Sequence, residues 1–170
     1  MVNIGAVTSE ALAKSDLLWV RTPERDRLCW FAVAGADHAL PAGTVVIVSG
    51  GGEQRLGALP DVVQLVLRSK GDRRRLLVLQ ARAEALTAGD DRWPGASDLA
   101  LAERLNASAE TATAWRDGAT IWLLPPFGQP VESPASDAPA ELVASPVRPA
   151  AATTTVRRPW HLGGRARRRR

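Results

Sequence analysis

The sequence predicts a small, mainly-β domain: six mostly antiparallel strands closed into a small barrel, with a few helices and a disordered C-terminal tail. Three observations carry that expectation. Six short apolar stretches rich in Val, Leu, Ile and Trp lie between Leu17 and Leu124, separated by turn-forming residues. One of them alternates apolar and polar residues from Leu77 to Ala85, long enough to span both halves of a barrel. Past Phe127 the composition shifts abruptly to Pro, Ala and Arg.

Residues 8–15 (TSEALAKS) read as a short helix, with Thr8 or Ser9 as N-cap and Glu10 in the first turn. Leu17–Arg21 and Leu28–Ala34 come next as two strands of a hairpin around the polar turn TPERD. Gly43–Ser49 is the third strand, β-branched and so expected to be covered on both faces. Gly50–Pro60 holds four glycines and a proline, and cannot be regular strand. Asp61–Ser69 and Arg74–Leu86 are the fourth and fifth strands, joined by a hairpin loop. In the fifth, Leu77, Leu79, Ala81, Ala83 and Ala85 share one face. Ser97–Asn106 is a helix capped by Ser97, and a shorter helical piece runs from Ser108 to Trp115. Ala119–Leu124 is the sixth strand, stopped by Pro125 and Pro126.

At 170 residues the chain suits one domain with a remainder, here a barrel over residues 1–128 and a linker and tail over 129–170. The net charge of +4 belongs to that tail. Residues 1–128 carry 14 Lys and Arg against 15 Asp and Glu, whereas 129–170 carry eight Arg against three acids. This excludes a fold that binds nucleic acid over a broadly basic face. The tail, with six prolines and eight alanines, buries too little apolar surface to offset the entropy of ordering. No apolar run reaches the ~18 residues of a membrane-spanning helix, and no secretory signal is visible at the start. One cysteine, Cys29, excludes an internal disulfide, and Cys29, His38 and His161 form no metal-binding pattern. A cytoplasmic setting is expected, with Cys29 as a packed, inert thiol and His38 in a surface loop.

Two segments bear on chemistry. SGGGEQR (Ser49–Arg55) comes directly after a strand, where backbone amides can cradle a phosphate and Arg55 can pair with its oxygens. It lacks the Lys-Ser/Thr ending of a P-loop and the spacing of a dinucleotide fingerprint, so a flexible turn is the alternative. Arg68, Ser69 and Lys70, with Arg73, Arg74 and Arg75 close behind, either hold a phosphorylated ligand or form a solvated hairpin tip. No nucleophile motif, paired carboxylates or metal cluster accompanies them. The tryptophans are expected in the core and at the barrel ends, with Trp19, Trp30 and Trp122 on strands where one of them could flank a planar ring.

The strand order, the stretch VVIVSGGGEQRLGALPDVVQLVLRSK and the later helix ending in RLN resemble the FMN-binding split-barrel superfamily, the pyridoxamine 5'-phosphate oxidase-like proteins, over about residues 8–126. The resemblance implies a homodimer with FMN or a deazaflavin in clefts between subunits, and an oxidoreductase acting on a small molecule by the cofactor's chemistry. It places the phosphate at the end of the third strand and in the short segment after it: Ser49, Gly50, Gly51, Gln54 and Arg55. The family's usual neighbouring Arg/Lys pair is replaced here by GGGEQ, so Arg55 is the cation of that segment, with Arg68, Ser69 and Lys70 as a second cluster. A separate reading concerns the tail, whose arginines and Trp160 suit contact with nucleic acid or an anionic membrane.

Overall fold

The computed structural model describes residues 4–68 and 75–132. The expected tail contacts lie outside the described residues, as do Ser69, Lys70, Arg73 and Arg74. The elements run in the order α1 (Ile4–Ala13), β1 (Leu17–Arg21), β2 (Asp26–Trp30), β3 (Ala32–Val33), β4 (Val45–Gly50), β5 (Val62–Arg68), β6 (Arg75–Arg82), β7 (Glu84–Leu86), α2 (Trp93–Glu103), α3 (Ala109–Gly118), β8 (Ala119–Leu124) and β9 (Pro126–Glu132). Two antiparallel sheets result, one ordered β2-β1-β5-β6-β9 and the other β3-β4-β8-β7. The protein is mainly β, as expected.

The expected single barrel of six unbroken strands is replaced by nine strands in these two sheets. Two of the expected continuous runs are interrupted, β2 from β3 by Phe31 and β6 from β7 by Ala83, and a third interruption at Pro125 parts β8, which is the expected sixth strand, from a further strand, β9. Each interruption carries the chain from one sheet to the other. Pro125 cannot donate to a ladder, which explains its break. At Ala83 the N–H still continues the β5–β6 ladder, donating to the Asp61 carbonyl at 2.8 Å, and from Glu84 the chain pairs with β8 instead. The side-chain alternation slips there too. Leu77, Leu79 and Ala81 are buried as expected, but beyond the bend Ala85 is exposed and Leu86 is fully buried. Pro126 does not end the sheet: β9 pairs with β6 from Ala81↔Pro126 to Val78↔Glu132, four residues past the expected limit of the barrel.

Two hydrophobic cores arise from the sheet parity. The first lies between the sheets, where Leu18, Val20, Leu65, Leu67 and Leu77 of one meet Val45, Ile47, Trp122 and Leu124 of the other, with Ala11 and Leu12 of α1 added. The second lies behind the four-stranded sheet, where Val46, Val48, Ile121 and Leu123 pack on Trp93, Ala96 and Ala100 of α2 and Trp115 of α3. Val45 to Val48 are therefore all buried, which is what a β-branched strand without polar alternation predicts. Burying each such side chain contributes roughly 1.5–3 kcal/mol before the entropy of ordering is counted.

The helices depart from expectation at their ends. α2 begins at Trp93, not Ser97. Pro94 sits in its first turn, where a missing N–H costs nothing, and Trp93 fills the second core while Ser97 is buried inside the helix. Arg92 reinforces that start, bonding Glu84 at 2.6 Å and Asp90 at 3.0 Å and holding both carboxyls below their usual range. α2 also stops at Glu103, because Arg104 turns into extended backbone (ψ 122°) and Asn106 adopts a left-handed φ of 59°. α3 starts where expected. Ser108 is its N-cap, accepting from the Thr111 N–H while the Thr111 hydroxyl accepts from the Ser108 N–H.

Candidate functional site

The glycine-rich loop leaves β4 between the two sheets. Gly50, Gly51 and Gly52 all have positive φ, of 86°, 61° and 94°. The first two also pass against α3: a Cβ on Gly50 would lie 2.7 Å from the Gly118 carbonyl oxygen, and one on Gly51 2.7 Å from that of Ala114. Consecutive glycines are thus demanded by a left-handed path and by close backbone approach. The Gly50 N–H donates to the Gln54 carbonyl at 3.1 Å, and the Ser49 hydroxyl accepts from the Leu56 N–H at 2.9 Å. Ser49, Gly50 and Gly51 therefore shape the loop, while the residues that reach a pocket are Gln54 and Arg55.

That pocket, of about 320 Å³, is bounded by Arg25, Asp26, Arg27 and Leu28 from the hairpin turn and the start of β2, and by Gln54, Arg55 and Leu56 from the loop. Its lining holds three arginines and one acid, and Asp26 is engaged by Arg21 at 3.5 Å. Arg27 Nε and Gln54 Nε2 are both buried donors without a protein partner. A buried donor without a partner costs on the order of 1–3 kcal/mol, and these two belong to residues that line the same pocket. The lining is net positive, and its arginines can offer charge and forked donors.

Arg25 and Arg27 escape a local reading, which takes TPERD as a polar turn. Their signal is the arginine repeat in RTPERDR, meaningful only once Gln54 and Arg55 are known to stand opposite. Arg68 is not part of this pocket. Arg27 is level with Val20 and Leu65, so Arg68 lies two strands away and three residues, roughly 10 Å, further along β5. Its guanidinium instead stacks 4.8 Å from the Trp19 ring centroid.

A larger groove of about 780 Å³ borders the same β2 strand and loop, between the end of α1, Trp30 to Val33, Glu53 and the end of α2. Leu12, Leu17, Phe31 and Leu105 give it apolar walls, with Trp30 the aromatic surface. Glu53, with its side chain 9% exposed, closes one side. It accepts from Arg104 Nε at 2.6 Å, Trp115 Nε1 at 3.3 Å and Trp30 Nε1 at 3.1 Å. The two indoles stack at 6.1 Å and 25°. Elsewhere, Cys29 is buried at 1% exposure, and that burial pushes its thiol up to about 12. His38 sits in its loop with Nδ1 accepting from the Leu40 N–H at 3.0 Å.

The chain matches no protein-family model, no curated protein and no solved structure. Its own geometry therefore carries the functional reading. Among the described residues, no helix is long and apolar enough to cross a membrane.

Proposed function

We propose that this chain is an FMN-binding protein of the split-barrel kind, a homodimer that acts as an oxidoreductase on a small molecule. The observation that carries the reading is the pocket of Arg25, Arg27, Gln54 and Arg55 with its two orphaned buried donors. These groups suit the phosphate of FMN, or of a deazaflavin bearing a phosphate ester. The pocket is too small for a three-ring system as well, and the adjoining groove along Trp30 has the volume and the apolar walls that ring would need. The flavin when bound supplies the hydride and electron chemistry. The chain's own part is to neutralise the phosphate, orient the ring against β2 and keep water from its face with Leu17, Phe31 and Leu105.

Two further features support the split-barrel reading. Traced through the bends at Phe31, Ala83 and Pro125, the pairing runs β1, β2/β3, β4, β8/β9, β6/β7, β5 and back to β1. The split-barrel reading takes each bent pair as one strand shared by the two sheets. The outer face of the five-stranded sheet also exposes Leu17, Leu28, Val62 and Phe127, the apolar surface a second copy would cover. A reducing, cytoplasmic setting accords with a buried thiol as the chain's one cysteine.

The test is an absorption spectrum of freshly purified protein, then titration with FMN and with a deazaflavin up to roughly tens of micromolar. A flavin band or saturable uptake is the expected result. Protein that carries no chromophore and takes up neither compound would overturn the reading.

A further inference from the structure

Three successive glycines give the loop between β4 and β5 no rigidity of its own, since glycine loses the most conformational freedom on ordering. Yet the loop must hold Gln54 and Arg55 opposite Arg25 and Arg27 for the pocket to exist. Its backbone ties are few and local: Gly50 to Gln54, Glu53 to Gly50, and the Ser49 hydroxyl to Leu56. Leu56 packs into the first core, and the side-chain hydrogen bonds that tie the loop's pocket-facing segment to other elements are those of the Glu53 carboxylate. Its three donors come from three elements: Trp30 from β2, Arg104 from the end of α2, and Trp115 from α3. Glu53 borders the groove while its neighbour Gln54 borders the anion pocket. Fixing one side chain therefore fixes the other across a single peptide unit.

We infer that Glu53 is the positioning residue of the anion pocket: its carboxylate pins the glycine-rich loop to β2, α2 and α3 so that Gln54 and Arg55 face Arg25 and Arg27. The inference rests on the anion-binding reading of that pocket, and Glu53 itself touches no ligand there. A carboxylate suits the task better than an amide. Both its oxygens accept, so it satisfies two indole N–H groups and a guanidinium together, whereas a glutamine would turn a donor toward one of them. Trp115 is fully buried, and without Glu53 its N–H would be left unpaired. The early end of α2 fits the same picture, since Arg104 leaves the helix at the point where it reaches Glu53.

The test compares wild type with Glu53→Gln by hydrogen exchange of the residue 50–56 amides and by titration with FMN and with riboflavin, which lacks the phosphate. The expected result is loop exchange about tenfold faster in the variant, with β5 and β6 amides unchanged. FMN affinity should fall about tenfold and riboflavin affinity by clearly less, because Glu53 borders the ring groove and holds Trp30 as well, so the preference for FMN over riboflavin shrinks. A merely structural role would weaken both ligands equally and leave that preference unchanged, and that outcome in a folded variant would overturn the inference, as would loop exchange equal to wild type. If Glu53→Gln does not fold, Arg104→Gln removes the ion pair from the helix side and is read by the same measurements. If wild type binds neither flavin, the proposed function fails by itself, and the loop's hydrogen exchange alone decides whether Glu53 anchors it.

Discussion

Arg27 and Gln54 each bury a donor that no protein group accepts, and they do so at the same pocket. The other such atoms among the described residues, Thr44 Oγ1 and Trp122 Nε1, lie elsewhere in the fold, so the pairing at the pocket is a local feature. Half of this site is legible in the sequence. Gln54 and Arg55 stand in a segment whose glycines attract notice, whereas Arg25 sits in a turn that solvation explains just as well and Arg27 follows it on β2. Glu53 is less legible still, because its partners Trp30, Arg104 and Trp115 are 23, 51 and 62 residues away. Cys29 is readable from its apolar neighbours, and its burial has a measurable consequence. The thiol is raised from an ordinary 9.0 to about 12, so the native state keeps it neutral where the unfolded chain ionises. That stabilising difference is complete below pH 9.0 and is lost as pH rises toward about 12. Denaturant titrations between about pH 8.5 and 11 should show wild type losing stability more steeply than Cys29→Ala.

At the level of elements, patterning locates every expected strand but not the bends. Leu17–Arg21 matches its expected span to the residue, and the buried run at Val45–Val48 comes from β-branching alone. The break at Ala83 leaves no mark, because Leu77 to Ala85 alternates straight through it and only the change of partner strand, from β5 to β8, marks the bend. Pro125 reads as a stop but is a joint, since proline interrupts a ladder without preventing the next strand from joining another sheet. Helix ends are set by tertiary contacts: Trp93 in the second core draws α2 forward, and Glu53 draws Arg104 out of it. α3 is different, as its reciprocal Ser108–Thr111 cap is local. Ser108→Ala should cost about 1 kcal/mol, a fall in Tm of roughly 3–5 °C for a domain of this size. Thermal unfolding followed by circular dichroism would read it, with Ser108→Asn restoring most of the loss.

For the whole molecule, the proposed function joins a two-sheet fold, an exposed apolar sheet face and the arginine-lined pocket at its edge. Leu28 is part of both the exposed face and the pocket. Association through that face would bring the second copy beside the pocket, which is how a cleft between subunits arises in the proposed assembly. Sedimentation at low micromolar concentration should report a dimer, and Val62→Lys should shift it to monomer without unfolding it, since Val62 is 46% exposed in one chain. The claim on which all of this depends is that the arginine pocket receives the phosphate of a flavin. Calorimetric titration of one wild-type preparation with FMN and with riboflavin tests it most directly. The expected result is FMN bound at least about tenfold more tightly, with the advantage shrinking as salt is raised and vanishing in Arg27→Ala. Equal affinity for the two ligands, or a preference that survives Arg27→Ala and Arg55→Ala together, would contradict it.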